Sequence, residues 1–229
     1  MPRDFDPAEP ELMDRPQPVS AELENDLDNL ASLNRWYGSH RLLRRFLREW
    51  LRPGGSYRVL DLCTGAGDLP RVMADYARAH NIRIHITALD ANPASLEIAR
   101  RRCADYPEIE FAAGDALTFP FAGYDLIHCS LALHHFTEAD AVALLRRCRE
   151  AAARWVLISD LERAWFTTLG IWLLTVLFYR APMTRADART SARRAFSFAE
   201  FKNLATAAGW VASAHERFAF CRQAIWLCQ

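Results

Sequence analysis

The sequence predicts an α/β protein with a mostly parallel sheet covered by helices on both faces. Short apolar, β-branched runs alternate with helical patterns between residues 58 and 160, which is typical of parallel strands joined by crossover helices. Two further strand patterns near the C-terminus have only a short connection, so we expect antiparallel pairing there. The chain has 229 residues, of which 51% are hydrophobic, so it can bury a core without cross-links.

The region before the first strand divides into two parts. Residues 1–20 contain five prolines and are expected to form a flexible, loosely attached leader. From residue 21 to residue 51, leucine and aromatic residues recur at helical spacing, and Pro53-Gly54-Gly55 ends this helical region. We expect residues 21–229 to form a single domain.

The elements of that domain follow from changes in periodicity. The predicted strands cover 58–62, 82–90, 109–113, 124–130 and 155–160, and the helices between them cover 69–79, 93–105 and 138–153. Ser197 and Glu200 have the spacing of a capping box, which predicts a last helix ending at Gly209. The two final strands are predicted over 211–220 and 223–228.

Charge is unevenly distributed along the chain. The 28 basic and 28 acidic residues cancel, but residues 1–30 carry nine acidic against two basic side chains. That N-terminal part has a charge of −7, so the rest of the chain has +7. The overall balance argues against a nucleic-acid-binding protein, which usually carries a strongly basic face.

Other features favour a cytoplasmic protein. The six cysteines form no CxxC pair, which is typical of reduced thiols, and the N-terminus lacks the pattern of a signal peptide. The most apolar run, 164–179, is shorter than the ~20 residues that a membrane-spanning helix needs. We interpret it as a buried or substrate-facing helix and predict no transmembrane segment.

The strongest functional pattern follows the first predicted strand. Gly65 and Gly67 lie in the run Asp-Leu-Cys-Thr-Gly-Ala-Gly-Asp at 61–68, at the strand end where open α/β sheets bind ligands. Asp90 ends the second strand, 23 residues after Gly67, where a carboxylate can accept hydrogen bonds from a ribose diol. These residues predict a cofactor that contains adenosine.

Two details distinguish among such cofactors. Pro70 stands where the dinucleotide fingerprint has its third glycine, which allows close packing beneath a pyrophosphate. Asp61 lies four residues before Gly65, and a carboxylate there suits an ammonium group better than an anion. The pattern therefore favours a cofactor without phosphates over NAD.

Four segments resemble the class I S-adenosylmethionine-dependent methyltransferases across residues 55–160. They are VLDLCTGAGDLP at 59–70, TALDAN at 87–92, AAGDALTFPF at 112–121 and YDLIHCSLALHHF at 124–136. The first is nearest to the quinone-biosynthesis C-methyltransferases, whereas SLALHHF departs from that group. The resemblance implies a Rossmann-like seven-stranded sheet, mostly parallel with an antiparallel final strand, and S-adenosylmethionine as cofactor.

The resemblance also implies which residues contact the cofactor. The methionine part would lie against Asp61, Gly65, Ala66 and Gly67, and Asp90 would hold the ribose hydroxyls. The other implied contacts are Ala91 and Asn92 near the adenine edge, Asp115 and Ala116 at the adenine, and Ser130 at the sulfonium. Taken singly, Asp61 as a loop cap and Asp115 as a turn residue are the structural alternatives.

Two histidines are candidates for catalysis. His134 and His135 follow the fourth strand, beside the expected position of the methyl group. A histidine there can take a proton from a phenol or an enol, because its ordinary pKa lies near neutral pH. The alternative is that one ring only braces the loop. No metal site is predicted.

Two segments are candidate lids over the substrate. We call residues 21–52 the N-terminal lid and residues 161–196, an apolar helix followed by an arginine-rich loop, the inserted lid. An apolar lid implies a hydrophobic acceptor, and peripheral contact with lipid fits it as well. The alternatives are a core stripe and a solvated basic face. The candidate substrate residues are Trp36, Tyr37, His40, Trp165, Trp172 and Arg193.

The sequence leads to one main functional hypothesis and two alternatives. The main one is methyl transfer from S-adenosylmethionine to oxygen or carbon of a small phenolic, quinol or polyketide-like acceptor. A non-catalytic module that binds S-adenosylmethionine is the first alternative. An NAD-dependent oxidoreductase is the second, against which the missing third glycine and the absence of Tyr-x-x-x-Lys argue, because Lys202 is the chain's single lysine.

Overall fold

A computed structural model describes residues 2–152, 154–218 and 221–229 and confirms the predicted fold class. Its seven strands form one sheet in the order β3-β2-β1-β4-β5-β7-β6, in which β7 runs antiparallel to both β5 and β6. The other neighbouring strands are parallel. The strands are β1 Ser56–Leu62, β2 Arg83–Asp90, β3 Ile109–Ala113, β4 Leu126–Ser130, β5 Trp155–Leu161, β6 Ala214–Phe218 and β7 Arg222–Cys228.

Eight α-helices accompany the sheet in the described part of the chain. They are α1 Ala21–Trp36, α2 Ser39–Trp50, α3 Asp68–Ala79, α4 Pro93–Arg102, α5 Glu138–Ala151, α6 Trp165–Phe178, α7 Pro182–Arg194 and α8 Phe198–Ala207. Side-chain caps define several of their starts. The Asn92 side chain accepts from the Ala94 and Ser95 amides with Pro93 in the first turn, and Ser197 with Glu200 forms the predicted capping box.

The core lies on both faces of the sheet because neighbouring strand residues point to opposite sides. Leu60 and Ile127 belong to a buried cluster that includes α5 and α8, whereas Val59 and Leu126 belong to a second cluster that includes α2 and α3. The strand order reverses between β1 and β4. Open α/β sheets bind ligands in the crevice that forms at such a reversal.

Two predicted segments differ from the structure. The helical region 21–51 is two helices, because Gly38 adopts a left-handed backbone, φ 103°, before α2. The arginine-rich loop of the inserted lid is largely a helix, α7, whose first turn holds Pro182 and whose sequence is rich in alanine and arginine. Of the residues predicted in elements, Ala153, Ala219 and Phe220 lie outside the described part of the chain.

Residues 2–20, which we call the N-terminal arm, pack against the domain rather than extending as a loose leader. Arg3 Nη2 donates to the carbonyl oxygens of His134 and Phe136, at 2.9 and 2.8 Å. The amides of Leu12 and Met13 donate to the Asp187 carboxylate at 2.8 and 3.0 Å. These bonds join residues more than 130 positions apart, so local periodicity along the chain does not indicate them.

The apolar helix α6 is shorter than a membrane span. Within the described residues, no helix combines the length and the apolar composition that crossing a bilayer requires.

Candidate active site

A cavity of about 300 Å³ opens at the carboxyl ends of β1 and β4. Its volume lies at the lower end of the range found for small-molecule sites. The loop after β1, the loop after β4, α1, α6 and the N-terminal arm all contribute to its wall. Of the predicted site residues, the wall contains Asp61, Gly65, Ala66, Ser130, His134, His135 and Tyr37.

The two loops at the strand ends have an unusual backbone. Cys63 and Leu131 follow β1 and β4 and both have positive φ, 56° and 55°, which side chains other than glycine rarely adopt. Gly65 and Gly67 are also left-handed, and a Cβ on Gly67 would lie 3.0 Å from the Cys103 sulfur. The loop therefore needs glycine at 67 for both conformation and space.

Asp61 is held by a histidine from the neighbouring strand. Its Oδ1 lies 2.5 Å from Nδ1 of His128 on β4, and both side chains are buried. A buried carboxylate with a fixed partner is oriented before a ligand arrives. The sequence did not indicate this role for His128, because it lies in a predicted strand 67 positions after Asp61.

The Asp90 side chain holds the backbone of the glycine loop that follows β1. Its two carboxylate oxygens accept from the amides of Gly65 and Asn92 at 2.7 and 2.9 Å, while burial raises its pKa. The Asn92 side chain also donates to the Met13 carbonyl at 2.9 Å. The arm thus lies directly beside the predicted ribose position.

Several predicted cofactor residues lie outside the wall of this cavity. Asp115 is exposed and accepts from the Leu117 amide at 2.8 Å, which fits the turn role, and Ala116 is buried. The described cavity wall does not include Gly67, Asp90, Ala91, Asn92, Asp115 or Ala116.

The histidine pair contacts carboxylates from three parts of the chain. His134 Nδ1 lies 2.7 Å from Asp160 Oδ1 on β5, and its Nε2 lies 3.6 Å from Glu11 Oε1 in the arm. His135 Nδ1 lies 2.9 Å from Asp14 Oδ2. Glu11 is buried and accepts a hydrogen bond from the Ser191 hydroxyl at 2.8 Å.

These carboxylates control protonation of the pair. Burial alone lowers the pKa of His134, but Asp160 and Glu11 outweigh it and raise the pKa to about 10. Burial and the neighbouring His134 lower the pKa of His135, but Glu11 and Asp14 raise it by more. The pKa of His135 is therefore above its usual value. A general base must be unprotonated, and the raised pKa values work against that state, so the general-base role of His134 and His135 stays a prediction.

Most of the candidate lid residues face away from the cavity. Trp36 at the end of α1 is exposed, and α6 turns Trp165 and Trp172 outward, Trp165 with 71% of its surface exposed. His40 lies 3.2 Å from Asp68, and Arg193 lies 3.4 Å from Asp4 on the arm. Tyr37 lines the cavity as predicted, and the lid wall is completed by residues that sequence reasoning missed: Leu27, Leu30, Ala31, Gly170, Ile171 and Leu174.

Arg222 is a further cavity residue that the sequence did not indicate. It is buried at the start of β7 and donates to the Tyr37 carbonyl at 2.8 Å and to the Asn34 side chain at 3.4 Å. Burial lowers its pKa to about 10, so the guanidinium stays charged at neutral pH. Within the described residues its Nη1 has no hydrogen-bond partner, which leaves a donor for an anionic ligand.

Comparison with known proteins finds a family match for the segment that contains β1, β4 and the loops after them. Residues 59–154 match the family model of a methyltransferase domain. Over 86 residues the chain is 40% identical to the 2-phytyl-1,4-naphtoquinone methyltransferase of Thermosynechococcus vestitus, covering 38% of this chain and 37% of that protein. Over 120 residues it is 36% identical to the demethylmenaquinone methyltransferase of Thermotoga maritima, covering 52% and 48%. The chain thus spans about half or less of these relatives.

Solved structures share the fold over more of the chain. The plantazolicin methyltransferase BamL, solved with a desmethyl plantazolicin analogue and SAH, superposes with a TM-score of 0.68 at 14% identity, covering 91% of this chain and 89% of that one. PigF, solved with SAH, gives a TM-score of 0.61 at 19% identity, covering 88% and 58%. Residues 59–154 are therefore similar to a methyltransferase domain and to quinone-biosynthesis methyltransferases, and the chain shares the Rossmann-like fold of the two solved structures.

Proposed function

We propose that this chain transfers the methyl group of S-adenosylmethionine to oxygen or carbon of a small hydrophobic acceptor. The observation that carries the proposal is the cavity where β1 and β4 diverge, which brings Asp61, Gly65 and Ser130 together. These three residues lie within the segment that matches the methyltransferase family model. Solved structures of the same fold contain SAH.

The cofactor half of the proposal assigns roles to the loops after β1 and β2. The Asp61 carboxylate, oriented by His128, suits the ammonium group of methionine because opposite charges attract in a buried site. The Asp90 oxygens accept two backbone amides, and each retains acceptor capacity for a ribose hydroxyl. Asp115, which is exposed, and Ala116, which is buried, remain the proposed adenine contacts, although neither lines the cavity.

The acceptor half follows from the opposite wall of the cavity. Leu27 and Leu30 of α1 and Ile171 and Leu174 of α6 supply an apolar surface. Arg222 adds a charged donor at the same cavity, suited to a phenolate or carboxylate oxygen. This combination favours an apolar molecule that carries one anionic or hydroxyl group, as a quinol does.

Methyl transfer in such a site depends on position and exclusion of water. Holding the acceptor in line with the sulfonium removes an entropic cost of up to about 7–11 kcal/mol in favourable cases. The N-terminal arm, which lies beside Asn92 and over His134, limits access of water from one side. We therefore propose that the arm moves to admit the cofactor and then closes again.

We also propose that the outer face of α6 contacts a lipid surface. Trp165, Leu177 and Phe178 are 71%, 70% and 72% exposed, and Leu173 and Val176 extend the same apolar face. A large exposed apolar patch on a helix with aromatic residues is typical of helices that lie in the bilayer interface. The inner face of the same helix lines the cavity, so an acceptor dissolved in lipid has a short path to it.

A vesicle assay tests the lipid contact. The full chain should cosediment with phosphatidylcholine–phosphatidylglycerol vesicles, and a Leu177→Ser, Phe178→Ser variant should lose most of that binding. Val211→Ser is the matched control, because Val211 is 97% exposed but lies outside α6. Equal vesicle binding by all three proteins, or none by the wild type, contradicts the lipid contact while leaving the enzymatic proposal standing.

The cofactor assignment is tested by ligand binding. SAH should raise the melting temperature, because a ligand that binds only the folded state stabilises it, whereas NAD should not. A shift with NAD alone supports the oxidoreductase alternative, and no shift with either ligand contradicts the cofactor assignment. The cytoplasmic location predicted from the cysteines stays a proposal.

A further inference from the structure

We propose that Glu11, His134 and His135 form a binding site for a divalent first-row transition metal of the Zn²⁺ class. This inference goes beyond the proposed methyl transfer. It concerns three side chains that meet at the wall of the cavity, one from the N-terminal arm and two from the connection after β4.

The spacing of the candidate ligand atoms suits a metal ion. One ligand atom from each of the three residues lies within 4.8 Å of the other two. His134 Nε2 is 3.6 Å from Glu11 Oε1, and His135 Nε2 is 3.9 Å from Glu11 Oε2. Tetrahedral ligands at about 2.1 Å from zinc stand about 3.4 Å apart, so the two distances between Glu11 and the histidines exceed that spacing by only a few tenths of an ångström.

The other nitrogen of each ring already has the partner that metal-binding histidines require. His134 Nδ1 pairs with Asp160 at 2.7 Å, and His135 Nδ1 pairs with Asp14 at 2.9 Å. Such carboxylate–histidine contacts fix the tautomer and aim the remaining nitrogen at the metal, and Zn²⁺ binding displaces the proton from that nitrogen. Here both remaining nitrogens are directed towards the same carboxylate, Glu11.

A buried, unpartnered atom is the independent indication of a ligand. His134 is only 2% exposed, and within the described residues its Nε2 lacks a hydrogen-bond partner, because 3.6 Å is too long for one. A buried polar atom in that state costs free energy, so it marks a place for an ion or water. Glu11 is also buried, and its carboxylate is otherwise contacted by the Ser191 hydroxyl.

The ligand set indicates the class of metal. Two imidazole nitrogens and one carboxylate suit zinc, manganese or iron, whereas magnesium prefers oxygen ligands throughout. Three protein ligands also leave a coordination position for water or for an oxygen of a bound molecule. The site lies at the cavity wall, so that position is open to the cavity.

A metal at this site would join the arm to the domain. Glu11 is more than 120 residues from the histidines in sequence, and the arm's other contacts here are hydrogen bonds such as those of Leu12 and Met13 to Asp187. Loading the site should therefore slow hydrogen exchange of the Leu12 and Met13 amides. This readout needs neither cofactor nor acceptor.

The experiment is a Zn²⁺ titration of the full chain after removal of metals with a chelator. A Cys228→Ser background removes the exposed thiol, which would otherwise bind zinc. We expect one Zn²⁺ per chain and slower exchange at residues 12 and 13. Glu11→Ala should weaken Zn²⁺ binding by at least about 100-fold, because changes to outer partners alone typically cost 10- to 100-fold.

Two further variants make the outcome specific. Asp14→Asn removes an outer partner and should weaken binding about 10-fold. The matched control is His85→Ala, because His85 lies beside Glu110 at the surface, 3.3 Å away, without a second histidine. It should bind Zn²⁺ like the parent protein.

Several results would overturn the site. They are no tight Zn²⁺ binding by the parent, unchanged binding by Glu11→Ala, or stabilisation by Mg²⁺ equal to that by Zn²⁺. Glu11 is buried against Ser191, so circular dichroism and urea denaturation of Glu11→Ala are needed to distinguish loss of Zn²⁺ binding from loss of folding. Because binding is measured without methyl donor or acceptor, failure of the proposed enzyme activity leaves this test unaffected.

Discussion

The family-matched segment 59–154 and the regions around it build the cavity in different ways. Within the segment, backbone geometry and short polar contacts dominate, as in the left-handed loop at Gly65 and the bond from its amide to Asp90. Outside this segment, most of the wall comes from apolar side chains of α1 and α6 and from the N-terminal arm. Hydrogen bonds to residues far along the chain, such as that from the Leu12 amide to Asp187, hold the arm in place. The difference indicates that the cofactor side depends on contacts within the family-matched segment, whereas the acceptor side depends on packing between that segment and distant parts of the chain.

The largest expected effect concerns Asp61, on the cofactor side. Asp61→Asn keeps the size of the side chain but removes the charge that we assign to the methionine ammonium group. A hydrogen bond to a charged group contributes about 1.5–3 kcal/mol, so affinity for SAH should fall roughly 10- to 150-fold in calorimetry. Glu110→Gln, an exposed carboxylate on β3, is the control and should bind normally. Unchanged affinity in Asp61→Asn would remove Asp61 from the cofactor site.

Two glycines compare the backbones of the two regions directly. Gly67 has φ 74° and no room for a Cβ near Cys103, whereas Gly170 is helical and a Cβ there meets nothing within 4 Å. Gly67→Ala should lower the free energy of unfolding by about 1–2 kcal/mol, and Gly170→Ala should raise it by about 0.5–1 kcal/mol. Urea denaturation of both variants measures this. Equal changes in the free energy of unfolding for the two variants would contradict the requirement for glycine at position 67.

The two faces of α6 should separate in kinetics. Ile171→Ala removes part of the apolar wall of the cavity. Because each buried methylene contributes about 0.8 kcal/mol, the lost contact should raise the KM for the acceptor several-fold. Leu177→Ala, on the exposed face, should leave the KM unchanged in an assay without lipid. If both variants raise it equally, α6 does not present a cavity face and an outer face as proposed.

A pH dependence is expected from Asp187, which holds the arm by accepting from the amides of Leu12 and Met13. Burial raises the pKa of Asp187 to about 7 from its usual value near 4, and the nearby carboxylates Glu11 and Asp26 add to this. The folded chain then binds a proton that the unfolded chain releases, so this group's stabilisation falls as pH rises from about 4 to 7. In denaturation experiments, the free energy of unfolding of the wild type should fall relative to that of Asp187→Asn as pH rises across this range, because only the wild type has the titrating carboxyl group. The two stability curves should therefore converge or cross. Parallel curves would contradict the raised pKa.

Much of the fold and part of the site could be predicted from the sequence because those features are local. Strand and helix periodicity, the capping box at Ser197 and the glycines at 65 and 67 depend on near neighbours. The contact between His128 and Asp61 depends instead on the pairing of β1 with β4, which places these residues side by side. Sheet order was therefore needed to find it.

The arm and α6 show why the remaining predictions differed from the structure. Prolines and acidic residues made residues 1–20 resemble a free leader, yet Glu11 is buried, and the apolar Leu12 and Met13 next to it were the available signal. In α6, aromatic content suggested that Trp165 and Trp172 face the substrate. The helix instead directs the smaller Gly170, Ile171 and Leu174 inward.

The central claim is that this cavity joins a methyl donor to a hydrophobic acceptor. The most direct measurement is transfer of labelled methyl from S-adenosylmethionine to a panel of phenols and quinols, with and without alkyl chains, by wild type and Asp61→Asn. We expect labelled product with apolar quinols or phenols and its loss in Asp61→Asn. Tight binding of SAH without transfer to any acceptor would contradict the enzyme and favour a non-catalytic module that binds S-adenosylmethionine.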